Sequence, residues 1–187
     1  MLSTVEGRRV GTDRLVLESV GRANAQALRA IRQVVPAPIQ EVARLVYQAP
    51  SELADGLRRD VADELASLLG GLGFNVSVTG QGVPFAAGTA QFEVALVVTD
   101  VTRLAPLVAE AAAFLGTDLV TARRMVCRSP AVMLSGVSAA TVAAMRERFE
   151  PLGAEVDVAR LDTARHYAVL GLDGKALRRG VAEVVAD

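Results

Sequence analysis

The chain is short of the side chains that most enzyme chemistry needs. It has one cysteine, one histidine and no tryptophan among 187 residues. A lone cysteine, Cys127, excludes an internal disulfide and a multi-cysteine metal site, and its place in an apolar helical pattern predicts a buried, inert thiol. A lone histidine, His166, would have to serve any Ser-His-Asp or Cys-His arrangement, and it lies far in sequence from Cys127. It reads as a structural or solvent-facing residue. Aromatics make up only 4% and do not interleave with the arginines, which weighs against base stacking on RNA. No apolar run approaches the roughly 18 residues of a membrane span, and the opening MLSTVEGRRVGTD has no apolar core of signal-peptide length. The expectation is a cytoplasmic protein with no membrane partner.

Charge of either sign is also not in excess. Twenty basic and twenty-one acidic residues give a net charge of −1, so no overall field draws the protein to nucleic acid. Lys175 is the one lysine; every other basic residue is arginine, a bias that points to a GC-rich genome more than to a site.

What the chain does have is a globular composition, 51% apolar and 22% charged, and an internal repeat. Slid by eighty residues, positions 13–80 fall on 93–160 without a gap, with nine identities. Among them are Pro50/Pro130, Gly56/Gly136 and Gly73/Gly153, where backbone geometry is demanding, together with Ala25/Ala105, Leu72/Leu152, Val76/Val156 and Val78/Val158. Each copy opens with a strand, Arg14 to Ser19 and Phe92 to Thr99. A first helix follows, with Ala27, Leu28 and Ile31 in one copy and Leu104, Leu107, Val108 and Ala111 in the other at helical spacing. Pro36-Ala37-Pro38 and Gly116-Thr117-Asp118 break it. The second helix is expected to bury Ile39, Val42, Leu45 and Val46, matched by Leu119, Ala122, Met125 and Val126. After Pro50 and Pro130 come a short strand, a glycine and a third helix, N-capped in the second copy by Ser138. This helix is expected to bury Val61, Leu65, Leu68 and Leu72, or Val142, Met145, Phe149 and Leu152. Gly73 and Gly153 stop it, and a closing strand alternates into the core.

The predicted class is α+β. Two tandem βααβαβ modules, 13–80 and 92–160, are joined by a Gly/Pro-bearing linker, 81–91, whose Phe85 is expected to dock on a module. Residues 161–187 read as a C-terminal strand-helix extension, with a strand at His166 to Leu170 and a helix at Lys175 to Val185. One strand and one helix cannot bury their own apolar faces, so this segment is expected to pack on a module or to join copies into a homo-oligomer.

The order strand, helix, break, helix, proline, strand, glycine, helix, glycine, strand resembles the C-terminal domain of bacterial ribosomal protein L7/L12. The likeness covers residues 14–80 and 92–160 and is best over Ser129 to Ser138 and Leu152-Gly153-Ala154-Glu155-Val156-Asp157-Val158. That family reads there as proline, a short apolar strand, Gly-Val-Ser, a helix and Ala-Gly-Ala-x-Val-x-Val. The resemblance implies that the first two helices form a surface for translation GTPases built of basic and small apolar side chains. The first helix has Arg29 and Arg32 beside Ala25 and Leu28, against Ala109 and Ala112 in the second copy. On the second helix the family's lysines fall on Gln40 and Ala43 in one copy and on Val120 and Arg123 in the other. Arg29, Arg32 and Arg123 are therefore the candidate partner contacts, and the fold rather than the ribosomal task is what the resemblance transfers.

Motifs that might carry catalysis each have a simpler account. Gly136-Val137-Ser138-Ala139-Ala140 misses the last glycine of a nucleophile elbow, and Ser138 has a capping role. Gly171-Leu172-Asp173-Gly174-Lys175 lacks P-loop spacing, and Gly70-Gly71-Leu72-Gly73 ends a helix instead of opening one. Asp60, Asp63 and Glu64 suit a helix start. Arg123, Arg124, Arg128, Arg146 and Arg148 read as a solvated basic face. The expected function is a non-catalytic adaptor or structural subunit of a larger assembly, with no cofactor and no metal. An RNA- or ribosome-associated protein is the alternative. A protease adaptor of the ClpS type ranks below it, because Cys127-Arg128-Ser129 stands where that family has a histidine-containing segment.

Overall fold

The computed structural model describes residues 11–34, 37–80, 82–128, 130–162, 165–170 and 176–182, the last two stretches by their backbone. The first module is β1 (Asp13–Ser19), α1 (Ala25–Val34), α2 (Ile39–Tyr47), β2 (Ser51–Leu57), α3 (Arg59–Gly71) and β3 (Asn75–Gly80). The second is β4 (Phe92–Val98), α4 (Leu104–Leu115), α5 (Leu119–Val126), β5 (Ala131–Val137), α6 (Ala139–Phe149) and β6 (Ala154–Arg160). The fold is α+β, and each module runs βααβαβ. Each sheet is antiparallel with its first strand in the middle, in the orders β2-β1-β3 and β5-β4-β6.

Strand register revises the gapless alignment. Leu15 and Leu17 stand opposite Val78 and Val76, whereas Val94 and Leu96 stand opposite Val158 and Val156. The closing strands thus correspond at an offset of eighty (78 to 158), but the opening strands at seventy-nine (15 to 94). The extra residue lies between β4 and α4, where a 3-10 turn, Val101–Arg103, precedes the helix. None of the nine identities lies in the opening strand, so the slip left no trace in them.

The helices lie against the face that carries Leu15, Leu17, Val94 and Leu96, all fully buried. On α1 Ala27 and Ile31 are buried, and α4 buries their equivalents Leu107 and Ala111 together with Val108, Ala112 and Phe114. Gly116 takes the left-handed conformation that ends α4, at φ 67°, and Gly153 does the same before β6, at φ 81°. Four burial expectations fail. Ile39, the first residue of α2, is exposed, because Val42 and Val46 are the residues that this helix turns inward. Leu68 on α3 is 52% exposed, and the buried stripe runs through Val61, Ala62 and Leu69. Leu69 and Phe149 are the equivalent core residues; spacing by threes and fours allowed either neighbour. Leu119 is 60% exposed, not buried, since α5 turns Ala122 and Val126 inward from one turn further on. Cys127 is exposed, because it caps α5 one residue past Val126 and sits off the buried stripe.

The extension also differs from its expected form. The strand over His166 to Leu170 is present as β7 (Arg165–Leu170), but the expected helix from Lys175 is not. Ala176–Ala182 is a strand, β8, paired antiparallel with β7 so that His166 stands opposite Val181. Gly180 inside a helix costs about 1 kcal/mol, which disfavours the expected helix. The strand-helix extension is a two-stranded hairpin.

The modules are not beads on a string. Their buried side chains form one connected cluster. Tyr47 of α2 meets Phe114 of α4 edge-on at 6.1 Å, and Phe114 meets Phe149 of α6 at 5.7 Å, so three rings cross the junction. Ser138 N–H donates to the Tyr47 carbonyl at 3.0 Å, Thr141 Oγ1 donates to the same oxygen at 2.8 Å, and Ser138 Oγ donates to the Ala49 carbonyl. The Arg148 side chain is 7% exposed. Its guanidinium pairs with Glu110, donates to the Ala23 carbonyl at 2.6 Å and lies over the Phe114 ring at 4.9 Å. That place in the junction corrects its assignment to a solvated basic face. The linker takes part too. Gly88 N–H donates to the Pro50 carbonyl at 2.7 Å, and Arg14 of β1 lies 5.3 Å from the Phe85 ring, the docking expected of that residue.

A candidate partner-binding groove between α4 and α5

The second module's first two helices are joined by a short break with a cap on each side. Gly116 N–H donates into the end of α4, and Asp118 opens α5 by accepting from Thr121 N–H at 2.9 Å and from its hydroxyl at 2.8 Å. These bonds hold the Asp118 carboxyl below its ordinary pKa. Asp100 opens the 3-10 turn in the same way, accepting from the Thr102 hydroxyl at 2.6 Å and its N–H at 2.9 Å, and its pKa is likewise lowered. With α5 and the turn that leads into α4 both capped, the α4–α5 pair presents a defined outer surface.

That surface is an open apolar groove of about 660 Å³, lined by Val101, Leu104, Ala105, Leu119, Val120 and Arg123 among others. Val101 is 75% exposed, Leu119 60% and Val120 62%, which makes this the largest grouping of exposed aliphatic side chains among the described residues. Three such residues converging on one concavity differ from apolar side chains scattered singly over a surface. Arg123 stands at the rim, exposed, with Arg124 beside it on α5, and neither makes an ion pair among the described residues.

The same places in the first module carry Ala25, Leu28, Arg29, Ile39, Gln40 and Ala43. Polar side chains replace apolar ones at Arg29 (for Ala109) and Gln40 (for Val120), and Ala25 lies against the end of α4. A Cβ on Gly116 would come within 2.5 Å of the Ala25 Cβ. Arg29 lines a separate cleft of about 320 Å³ with Asn24, Gln26, Ala112 and Thr117. The structure therefore does not unite the three candidate arginines. Arg123 borders the groove, Arg29 borders the cleft at the module junction, and Arg32 is exposed on the last turn of α1 and lines neither. The groove's aliphatic floor was missed in the sequence because Leu119 was assigned to the core. The available signal was the contrast of Val120 with Gln40 at equivalent positions.

Among the described residues no three His, Cys, Asp or Glu side chains gather as a metal site, and no single helix is long and apolar enough to cross a membrane. His166 and Lys175 lie where side chains fall outside the described residues. No protein-family model matches the chain, and no curated protein matches it significantly.

Proposed function

We propose that the protein is a non-catalytic adaptor or structural subunit of a bacterial cytoplasmic assembly, which holds a partner protein in the α4–α5 groove. The observation that carries this reading is the exposure of Val101, Leu119 and Val120 around a single concavity, on a surface where Asp118 caps α5 and Asp100 caps the 3-10 turn that leads into α4. Leaving such aliphatic area in water forgoes roughly 25 cal/mol per Å² of burial, a cost that a partner removes. The occupant that fits is an amphipathic helix with an apolar stripe and carboxylates along its flank, the stripe lying on Val101, Leu119 and Val120 and the carboxylates meeting Arg123 and Arg124. The βααβαβ order of each module supports the likeness to the L7/L12 C-terminal domain, and the groove lies on the helix pair which that likeness nominates. Arg123 is the rim contact in this reading, and Arg29 and Arg32 are secondary.

The test is quantitative affinity capture with the full chain, comparing wild type with Val120→Asp and Arg123→Glu. The expected result is a defined set of proteins retained by wild type and reduced at least tenfold on both variants, with the variants as well folded as wild type by circular dichroism. Equal recovery on all three refutes the groove. RNA recovered at low salt and lost steeply as salt rises, without any such protein set, favours the RNA-associated alternative instead.

A further inference from the structure

The β7–β8 hairpin poses a problem of its own, independent of the partner groove. It forms a two-stranded sheet that joins neither three-stranded sheet. Two strands alone are marginal in water and need a surface to pack on. Strand β6 ends at Arg160 and β7 begins at Arg165, so the hairpin starts within about 18 Å of the edge of the second sheet.

The first module shows what the segment after its closing strand does. The chain leaves β3 at Gly80, brings Phe85 to Arg14 and then bonds through Gly88 to Pro50, just before β2. In the order β2-β1-β3 that path crosses the sheet from one edge to the other. Arg14 lies on the sheet face opposite the helices, where it also pairs with Glu52 at 2.9 Å. The linker is thus a strap over the back of the first sheet.

The back of the second sheet is more acidic than that of the first, where Arg14 shares the face with Glu18 and Glu52. By strand register Glu93 occupies the place of Arg14, and it shares its face with Ala95 and Val97 of β4, Val132 of β5 and Glu155 and Asp157 of β6. Val132 is 49% exposed, and Glu155 and Asp157 are exposed. Strands β7 and β8 together contain Arg165, Arg178 and Arg179 and no acidic residue. Eighty residues beyond Phe85 is Arg165. Where the first module sets a cation on the sheet under an aromatic ring in the strap, the second has an anion, Glu93, on the sheet and an arginine, Arg165, at the corresponding sequence position of the following segment. The partner groove, bordered by Arg123, offers this hairpin like charge instead.

We propose that the β7–β8 hairpin of the same chain packs across the back of the β5-β4-β6 sheet, over Val132 and against Glu155 and Asp157, as the second module's strap. In this arrangement it buries the exposed valine and neutralises the acidic face.

Hydrogen exchange on the full chain tests the arrangement by comparing wild type with the double variant Glu155→Lys, Asp157→Lys and with Val132→Asp. Both variants should speed exchange over 165–170 and 176–182 at least tenfold while leaving β1 and β2 unchanged, and the wild-type rates should not vary with protein concentration. Equal exchange in all three proteins overturns the assignment. Protection that disappears on dilution also overturns it, because the hairpin then packs on a second copy.

Discussion

Helices α3 and α6 hold the same position in their modules and have different fates. Val61, Ala62 and Leu69 of α3 are buried, with Leu65 and Ala66 partly buried beside them, and its outer face, Asp63, Glu64, Ser67 and Leu68, meets water. On α6 the inward residues Val142, Met145 and Phe149 are joined by Thr141, Ala144 and Arg148, which are buried against the first module. The equivalents of the last two on α3 are Glu64 and Leu68, both exposed. The docking contact is therefore heterologous and is not repeated. A copy of the interface on α3 would set a charged Glu64 where Ala144 packs, and Leu68 cannot supply the three contacts of Arg148. The two modules therefore meet through unlike surfaces, α6 of the second docking on the first while α3 keeps a polar outer face. The same division appears on the first two helices, where the first module sets Ala25 against the end of α4 and the second leaves its groove open.

Breaking the junction should show how far the pair depends on it. Phe114→Ala removes the ring that links Tyr47 to Phe149 and should cost about 4 kcal/mol in urea unfolding, with the loss shared by both modules. A midpoint shift confined to second-module probes would mean that the modules unfold separately. Arg148→Ala strands Glu110 and the Ala23 carbonyl and should cost about 3 kcal/mol, and Leu68→Ala at the equivalent place should stay within about 0.5 kcal/mol. Gly116→Val imposes a left-handed backbone on a β-branched residue and a clash with Ala25, so a loss of about 2 kcal/mol is expected by the same measurement. Ser138→Ala deletes a cap and a cross-module bond for about 1–2 kcal/mol.

The smallest effect is a pH dependence. Burial pushes the Tyr47 hydroxyl above its ordinary value, with Arg148 opposing. A raised folded pKa leaves stability intact below about pH 10, where the unfolded phenol titrates, and removes it as pH climbs through the folded value. Tyr47→Phe should flatten the alkaline limb of a stability profile, and an unchanged limb would assign it to other groups.

Most of the architecture was legible in the chain, for identifiable reasons. Gly73, Gly116, Gly136 and Gly153 all take positive φ, and Asp118 and Ser138 both cap helices, because turn and cap chemistry is local. What depended on non-local packing was not legible. Arg148 looks like any surface arginine until Phe114 and Ala23 are brought to it from 34 and 125 residues away. Leu119 and Leu68 fit apolar periodicities, but the side on which a short helix settles is decided by neighbours that periodicity does not name. The tail helix failed similarly, since an apolar pattern of few residues suits helix and strand alike and a pairing partner decides.

The central claim is that one repeat supports and the other binds, and the two equivalent positions Gln40 and Val120 allow a direct exchange. Partner capture should be measured quantitatively on wild type, Val120→Gln and Gln40→Val. The account predicts at least a tenfold loss for Val120→Gln and wild-type recovery for Gln40→Val. Equal recovery on all three, or a loss produced by Gln40→Val alone, would contradict it.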